Sequence, residues 1–178
     1  MSLTFASLLF GLIVLAVGIL LVVSPTDGDV RLLRFAKSRR NGLILLAAAT
    51  VWFLFHVAHL GEADFGQYRN WLLALFFLVA VGSAWRLPEY LAIRSMAALA
   101  LLAATLFLDA AFDQPYGGRL FMVSGVYLVI LISLYLAVVP FRWRDFFHWL
   151  YRQPIRYKTL GVGLGLYGVL TMGAVLTY

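Results

Sequence analysis

The sequence predicts an all-α fold: a polytopic integral membrane helical bundle of about six transmembrane helices, with both termini outside the cytoplasm. Three observations carry that expectation. First, 63% of the 178 residues are hydrophobic and only 12% charged, against the roughly 45–50% apolar share of soluble domains, and mean hydropathy is +0.93. Second, the apolar residues gather into six runs close to the ~20 residues that a helix needs to cross ~30 Å of hydrocarbon. Third, the basic residues alternate between successive connections. Fourteen lysines and arginines with eight acids are too few to coat a soluble core of this size, so lipid has to supply the outer boundary.

The spans are expected at residues 3–23, 42–60, 70–85, 95–112, 120–140 and 160–178. The first is expected to be a retained span rather than a cleaved leader, because it has no basic start, its apolar run is long, and no small-x-small site precedes Ser24. After it, residues 29–40 place Arg31, Arg34 and Lys37 at helical spacing with Leu32, Leu33, Phe35 and Ala36 on other faces, and Thr26 or Asp27 in position to cap. This pattern predicts an amphipathic helix lying in the interface. The third run is the shortest and would reach only ~24 Å at 1.5 Å per residue, so Arg69 and Arg86 are expected to snorkel from its ends. Residues 141–158 mix Phe141, Trp143, Phe146, Phe147, Trp149 and Tyr151 with Arg142, Arg144, Arg152, Arg156 and Lys158. That composition suits the headgroup zone and anionic lipid.

Proline and charge test the segmentation independently. Pro25, Pro88, Pro115 and Pro154 all fall between runs, and Pro140 closes the fifth, as expected of a residue that breaks helices. Twelve of the fourteen basic residues lie in the first, third and fifth connections, whereas the second and fourth hold Arg69 and Arg119 alone. Short loops rich in Lys and Arg stay in the cytoplasm. The odd-numbered connections are therefore assigned to the inside, both termini to the outside, and the chain to a bacterial inner membrane.

Ionisable side chains within spans are costly and mark candidate sites. Here they converge by topology at the outer ends of the second and fourth spans: His56, His59 and Glu62 on one, Asp109 and Asp113, four residues apart, on the other. If the two helices touch, imidazole and carboxylate could bind a divalent metal or relay protons. The paired spacing H-E-x-x-H of zinc helices is absent. The plainer alternative has the histidines reaching interfacial water or a backbone carbonyl and Asp109 paired with Arg119.

Gly161, Gly165 and Gly168 fall at i, i+4 and i+7 in the last span, a small-residue face that lets another helix approach closely. Gly11 and Gly18, and Ala97, Ala100 and Ala104, offer similar faces. The glycine run is no dinucleotide fingerprint, since neither a preceding strand nor a βαβ unit is present. Several other chemistries are excluded as well. The chain has no cysteine, and hence no disulfide, thiol catalysis or Cys-based metal site. Its third histidine, His148, lies on the opposite side from the other two, which removes bis-His haem ligation within one chain. Met122-Val123-Ser124-Gly125 lacks the first glycine of an intramembrane serine hydrolase motif. No phosphate loop and no basic soluble domain is seen, so nucleotide hydrolysis and nucleic-acid binding are not expected.

Function is therefore expected in the bundle or in what it holds. The leading expectation is a non-enzymatic membrane subunit or assembly partner of a larger complex. No cofactor is expected with it. Its contacts would be the bilayer, anionic headgroups, and other membrane subunits or a second copy, with Arg142, Trp143, Arg144, Trp149, Arg152 and Arg156 at the lipid or partner interface. The alternative is a small transporter, channel or proton-conducting component that uses the His and carboxylate group, with a divalent metal as its one candidate ligand. A subunit should tolerate His56→Ala and Asp109→Asn and fail on bulky substitution at Gly165; a transporter should do the reverse.

Overall fold

The computed structural model describes residues 1–61, 65–86 and 89–178. Among these the chain is entirely helical. Helices α1 (Leu3–Val23), α2 (Gly28–Lys37), α3 (Arg39–Ala58), α4 (Arg69–Arg86), α5 (Leu91–Ala111), α6 (Arg119–Val138), α7 (Arg142–Tyr151) and α8 (Pro154–Gly173) follow one another, with short 3-10 turns at Gly66–Tyr68 and Ala174–Thr177. Six helices, α1, α3, α4, α5, α6 and α8, are long and apolar enough to cross a membrane. The two shorter ones, α2 and α7, lie together at one end, here termed the basic face.

Local chemistry sets several boundaries away from the apolar runs. The hydroxyl of Ser38 accepts a hydrogen bond from the Asn41 amide at 3.3 Å, so α3 begins at Arg39 rather than at residue 42, as an N-cap serine dictates. Asp27 precedes α2 without any side-chain capping bond. Residues 141–158 do not form one helix. Arg152 and Gln153 separate α7 from α8, and Pro154 occupies the first turn of α8, the one helical position where its missing N–H costs nothing. Arg156 and Lys158 thus belong to the last long helix.

The closest pairing in the bundle is between α1 and α8, which run antiparallel: Gly11 lies against Gly168, and Gly18 against Gly161. A methyl group at Gly18 would come 2.6 Å from both the Gly161 carbonyl oxygen and the Gly165 amide nitrogen. One at Gly168 would come 2.6 Å from the Gly11 carbonyl oxygen and 2.7 Å from the Leu15 amide nitrogen. These are backbone-to-backbone contacts that no side chain can yield to. Gly165 differs from its neighbours on the same face. It lends its backbone to Gly18, yet its own Cβ direction meets only the Leu15 Cδ1 at 3.7 Å, so the side chains excluded from this seam are those at positions 11, 18, 161 and 168.

Helix α5 is the hub of the remainder, touching α6, α3, α1 and α2. Ala92 and Leu91 meet Gly42 where α3 and α5 start side by side. Away from the basic face, the core is Leu3, Ala6 and Phe10 of α1, Ala104, Phe107, Ala110 and Ala111 of α5, and Met122 and Val126 of α6, with the Phe10 and Phe107 rings edge-to-face at 5.4 Å. At the basic face a smaller cluster joins Ala36, Ile93 and Leu136. Between α6 and α8 the bundle is poorly closed, and α4 packs substantially on α3 alone.

The seam makes a graded prediction. Gly18→Leu or Gly168→Leu should force α1 and α8 apart and lower stability by about 1–3 kcal/mol, the usual range for overpacking, whereas Gly165→Ala should change it by less than about 0.5 kcal/mol. Thermal unfolding of the detergent-solubilised variants reads the difference, and equal losses at positions 165 and 168 would contradict the geometry.

Candidate functional site

His56, His59, Asp109 and Asp113 arrive at the same end of the bundle because α3 and α5 run side by side, but the histidines bond within their own helix. The His56 Nδ1 lies 3.0 Å from the Trp52 carbonyl oxygen and the His59 Nδ1 2.7 Å from that of Phe55, each one turn back on the same helix. A carbonyl only accepts, so Nδ1 is the donor in both contacts. Both histidines are exposed, as are Asp109 and Asp113. Glu62 lies outside the described residues. Among the described residues, no three His, Cys, Asp or Glu side chains approach closely enough to hold a metal ion.

Arg119, the alternative partner of Asp109, bonds a helix end instead, and Arg69 does the same on another helix. The Arg119 Nη1 donates to the Ala111 carbonyl at 2.7 Å, and the Arg69 Nη1 to the Ala58 carbonyl at 3.3 Å. Each guanidinium thus sits on the last turn of a neighbouring helix, where carbonyls lack partners and the helix dipole is negative. A signal was present in the sequence: a lone arginine just beyond the connection that follows each of these helices.

The basic face is more highly organised. Tyr151 hydrogen-bonds through its hydroxyl to the Ser24 hydroxyl at 2.7 Å and stacks on buried Tyr157 at 4.8 Å between ring centroids. His148 approaches Asp29 at 3.2 Å and so joins α7 to α2. Arg144 binds Asp145 at 2.9 Å; that hydrogen bond, and the carboxylate's charge, raise the guanidinium above its ordinary value. Leu150 anchors α7 into the bundle, and the Trp143 ring lies over Phe147 at 4.6 Å. Arg142 and Arg152 stay exposed, and Arg152 borders a polar hollow of 560 Å³ with Thr26, Asp29 and His148.

Arg156 is half-buried, its Cζ lies 4.7 Å over the Trp149 ring, and its Nη1 donates to the Trp149 carbonyl at 3.1 Å. Trp149 and Arg156 together border an apolar groove of 910 Å³, which runs between α6 and α8 over a floor of Phe10 and Val14. At the far end of that groove the Tyr167 hydroxyl donates to the Phe121 carbonyl and lies 3.1 Å from the Ser124 hydroxyl, which ties α8 to α6. The sequence places Arg156 at the interface but does not show the groove, because no periodicity records which helices fail to meet.

Comparison with family profiles, with curated proteins and with solved structures finds no match to this chain.

Since both histidines spend Nδ1 on their own helices and sit at the surface, His56→Ala and His59→Ala should each shift stability by less than about 0.5 kcal/mol. Exhaustive chelation should likewise leave the melting temperature of the purified protein unchanged. A drop of several degrees on chelation, restored by one divalent metal and abolished by His56→Ala, would show the cluster to be a metal site.

Proposed function

We propose that this protein is a non-enzymatic integral membrane subunit, or assembly partner, of a larger membrane complex, and that α4 is the helix through which it docks. The observation that carries this reading is the isolation of α4. Each of the other five long helices touches at least two neighbours, whereas α4 packs substantially on α3 alone and has no buried residue. Among the described residues, its aromatic pairing to the bundle is Phe76 on Phe53, edge-to-face at 4.8 Å. The opposite surface presents Trp71, Leu75, Leu78 and Trp85, all more than half exposed. Gly82, whose Cβ direction is open, adds a patch of bare backbone.

Burial of apolar surface does not drive helices together within lipid; close packing and backbone approach do. An outlying helix that keeps a glycine open on its free side is therefore suited to a second helix. The buried polar side chains of the described residues are the hydroxyls of Ser7, Ser95, Ser133 and Thr171. That lining suits a packed bundle better than a hydrophilic path.

The alternation of basic residues supports a bacterial inner membrane with the α2 and α7 face in the cytoplasm and both termini outside. The charged and aromatic residues of that face then lie at the level of anionic headgroups.

Extraction of the tagged native protein in mild detergent, followed by native mass determination and identification of bound chains, tests the docking reading. Other membrane proteins should be recovered in stoichiometric amount, and Gly82→Leu or Leu78→Ala should release them while leaving the helical content and melting temperature near wild type. Recovery of a lone monomer, or release only by variants that unfold the chain, would overturn it.

A further inference from the structure

We propose that the groove between α6 and α8 is a binding site for one acyl chain of an anionic phospholipid, whose phosphate is held by Arg156 at the basic face. The proposal rests on the six long helices crossing a bilayer and is independent of what covers α4.

The groove has the three parts that such a ligand needs. Its body is apolar. Val14 and Phe10 of α1 form the floor, Leu128 and Ile132 line the α6 side, and Gly163 leaves the α8 side low. Its length is that of one leaflet: from Arg156 to Tyr167 is eleven helical steps, about 16 Å at 1.5 Å per residue, and half of a ~30 Å hydrocarbon core is about 15 Å. Its two ends differ. The Tyr167 bonds to Phe121 and Ser124 close the far end.

The open end carries the charge. The Arg156 guanidinium stands over Trp149 at 4.7 Å and uses Nη1 on the Trp149 carbonyl, which fixes its position while leaving further N–H donors of its planar fork to serve a phosphate. An arginine held in this way at the headgroup level of an apolar slot is complementary to an anionic amphiphile and not to an uncharged one. An apolar helix from a partner would fill the slot but leave this guanidinium without a counter-charge, which is why a lipid is the occupant favoured.

Two variants separate the headgroup from the chain. Arg156→Gln removes the charge. Gly163→Phe fills the slot, and since nothing lies within 4 Å of the Cβ direction at Gly163, the larger side chain enters open space rather than a packed neighbour. The full-length protein would be reconstituted in nanodiscs of equimolar phosphatidylcholine and phosphatidylglycerol, re-extracted, and the lipid retained after mild delipidation counted by native mass spectrometry. Wild type should keep one phosphatidylglycerol. Arg156→Gln should weaken retention of phosphatidylglycerol about tenfold, as expected for one lost charge-assisted hydrogen bond, and Arg156→Lys should restore part of it. Gly163→Phe should lose both lipids while melting like wild type.

Equal retention of the two lipids by wild type would overturn the proposal, as would retention unchanged in both Arg156→Gln and Gly163→Phe. A dimer or partner-bound mass that holds no lipid and dissociates in Gly163→Phe would assign the groove to a helix instead.

Discussion

Backbone contact between α1 and α8 is the constraint on which the rest of the bundle depends. In an apolar solvent, helices are not squeezed together by water, and what holds them is the dispersion and weak polar attraction available at short range. Gly11 and Gly18 on one helix and Gly161 and Gly168 on the other let carbonyl oxygens and amide nitrogens approach to distances that any Cβ would prevent. This pair joins the first long helix to the last, and so ties the chain's two ends together through its tightest interface. Tyr178, hydrogen-bonded to buried Ser7 at 2.7 Å, extends the same closure to the final residue.

Two consequences follow from that commitment. With α8 drawn onto α1, its other flank meets α6 only sparingly, and the slot between them is left with Phe10 and Val14 as its floor. The slot is thus a by-product of the tight pair, framed by Tyr167 at one end and Trp149 at the other. The chain between the pair's two members is organised around α5, whose alanines at 92, 97, 104, 110 and 111 are buried. Helix α3 follows α5, and α4, next in sequence, finds only α3 to lean on. A row of helices that begins at a tight pair and ends at a solitary one has a closed side and an open side.

Charge obeys a simpler rule. Arg69 and Arg119, the two bases at the end away from α2 and α7, each bond a carbonyl in the last turn of a neighbouring helix, so the cost of placing a cation there is offset by groups that would otherwise lack a partner. Asp109, the alternative partner of Arg119, does not answer it. Asp109 and Asp113 remain exposed, and the histidines bond their own helices. At the basic face, side chains instead join elements to one another: Tyr151 to Ser24, His148 to Asp29, Arg156 to Trp149.

The sequence by itself determined that the fold is all-helical, the number of helices long and apolar enough to span a membrane, and the amphipathic character of the segment that became α2. All of these depend on composition and on periodicity within a single run. It also showed Gly161, Gly165 and Gly168 as one small-residue face. It could not show that Gly165 differs from the other two, because that depends on where Leu15 of another helix falls. The tertiary structure decided which helices meet, which helix stands apart, that Arg119 caps α5 rather than pairing with Asp109, and that residues 141–158 break into two helices beside an apolar slot. The physical reason is the same throughout. Crossing a bilayer is a property of one helix and its solvent, which twenty consecutive side chains express, whereas a groove, a cap or a seam is a distance between helices that no single stretch of sequence contains.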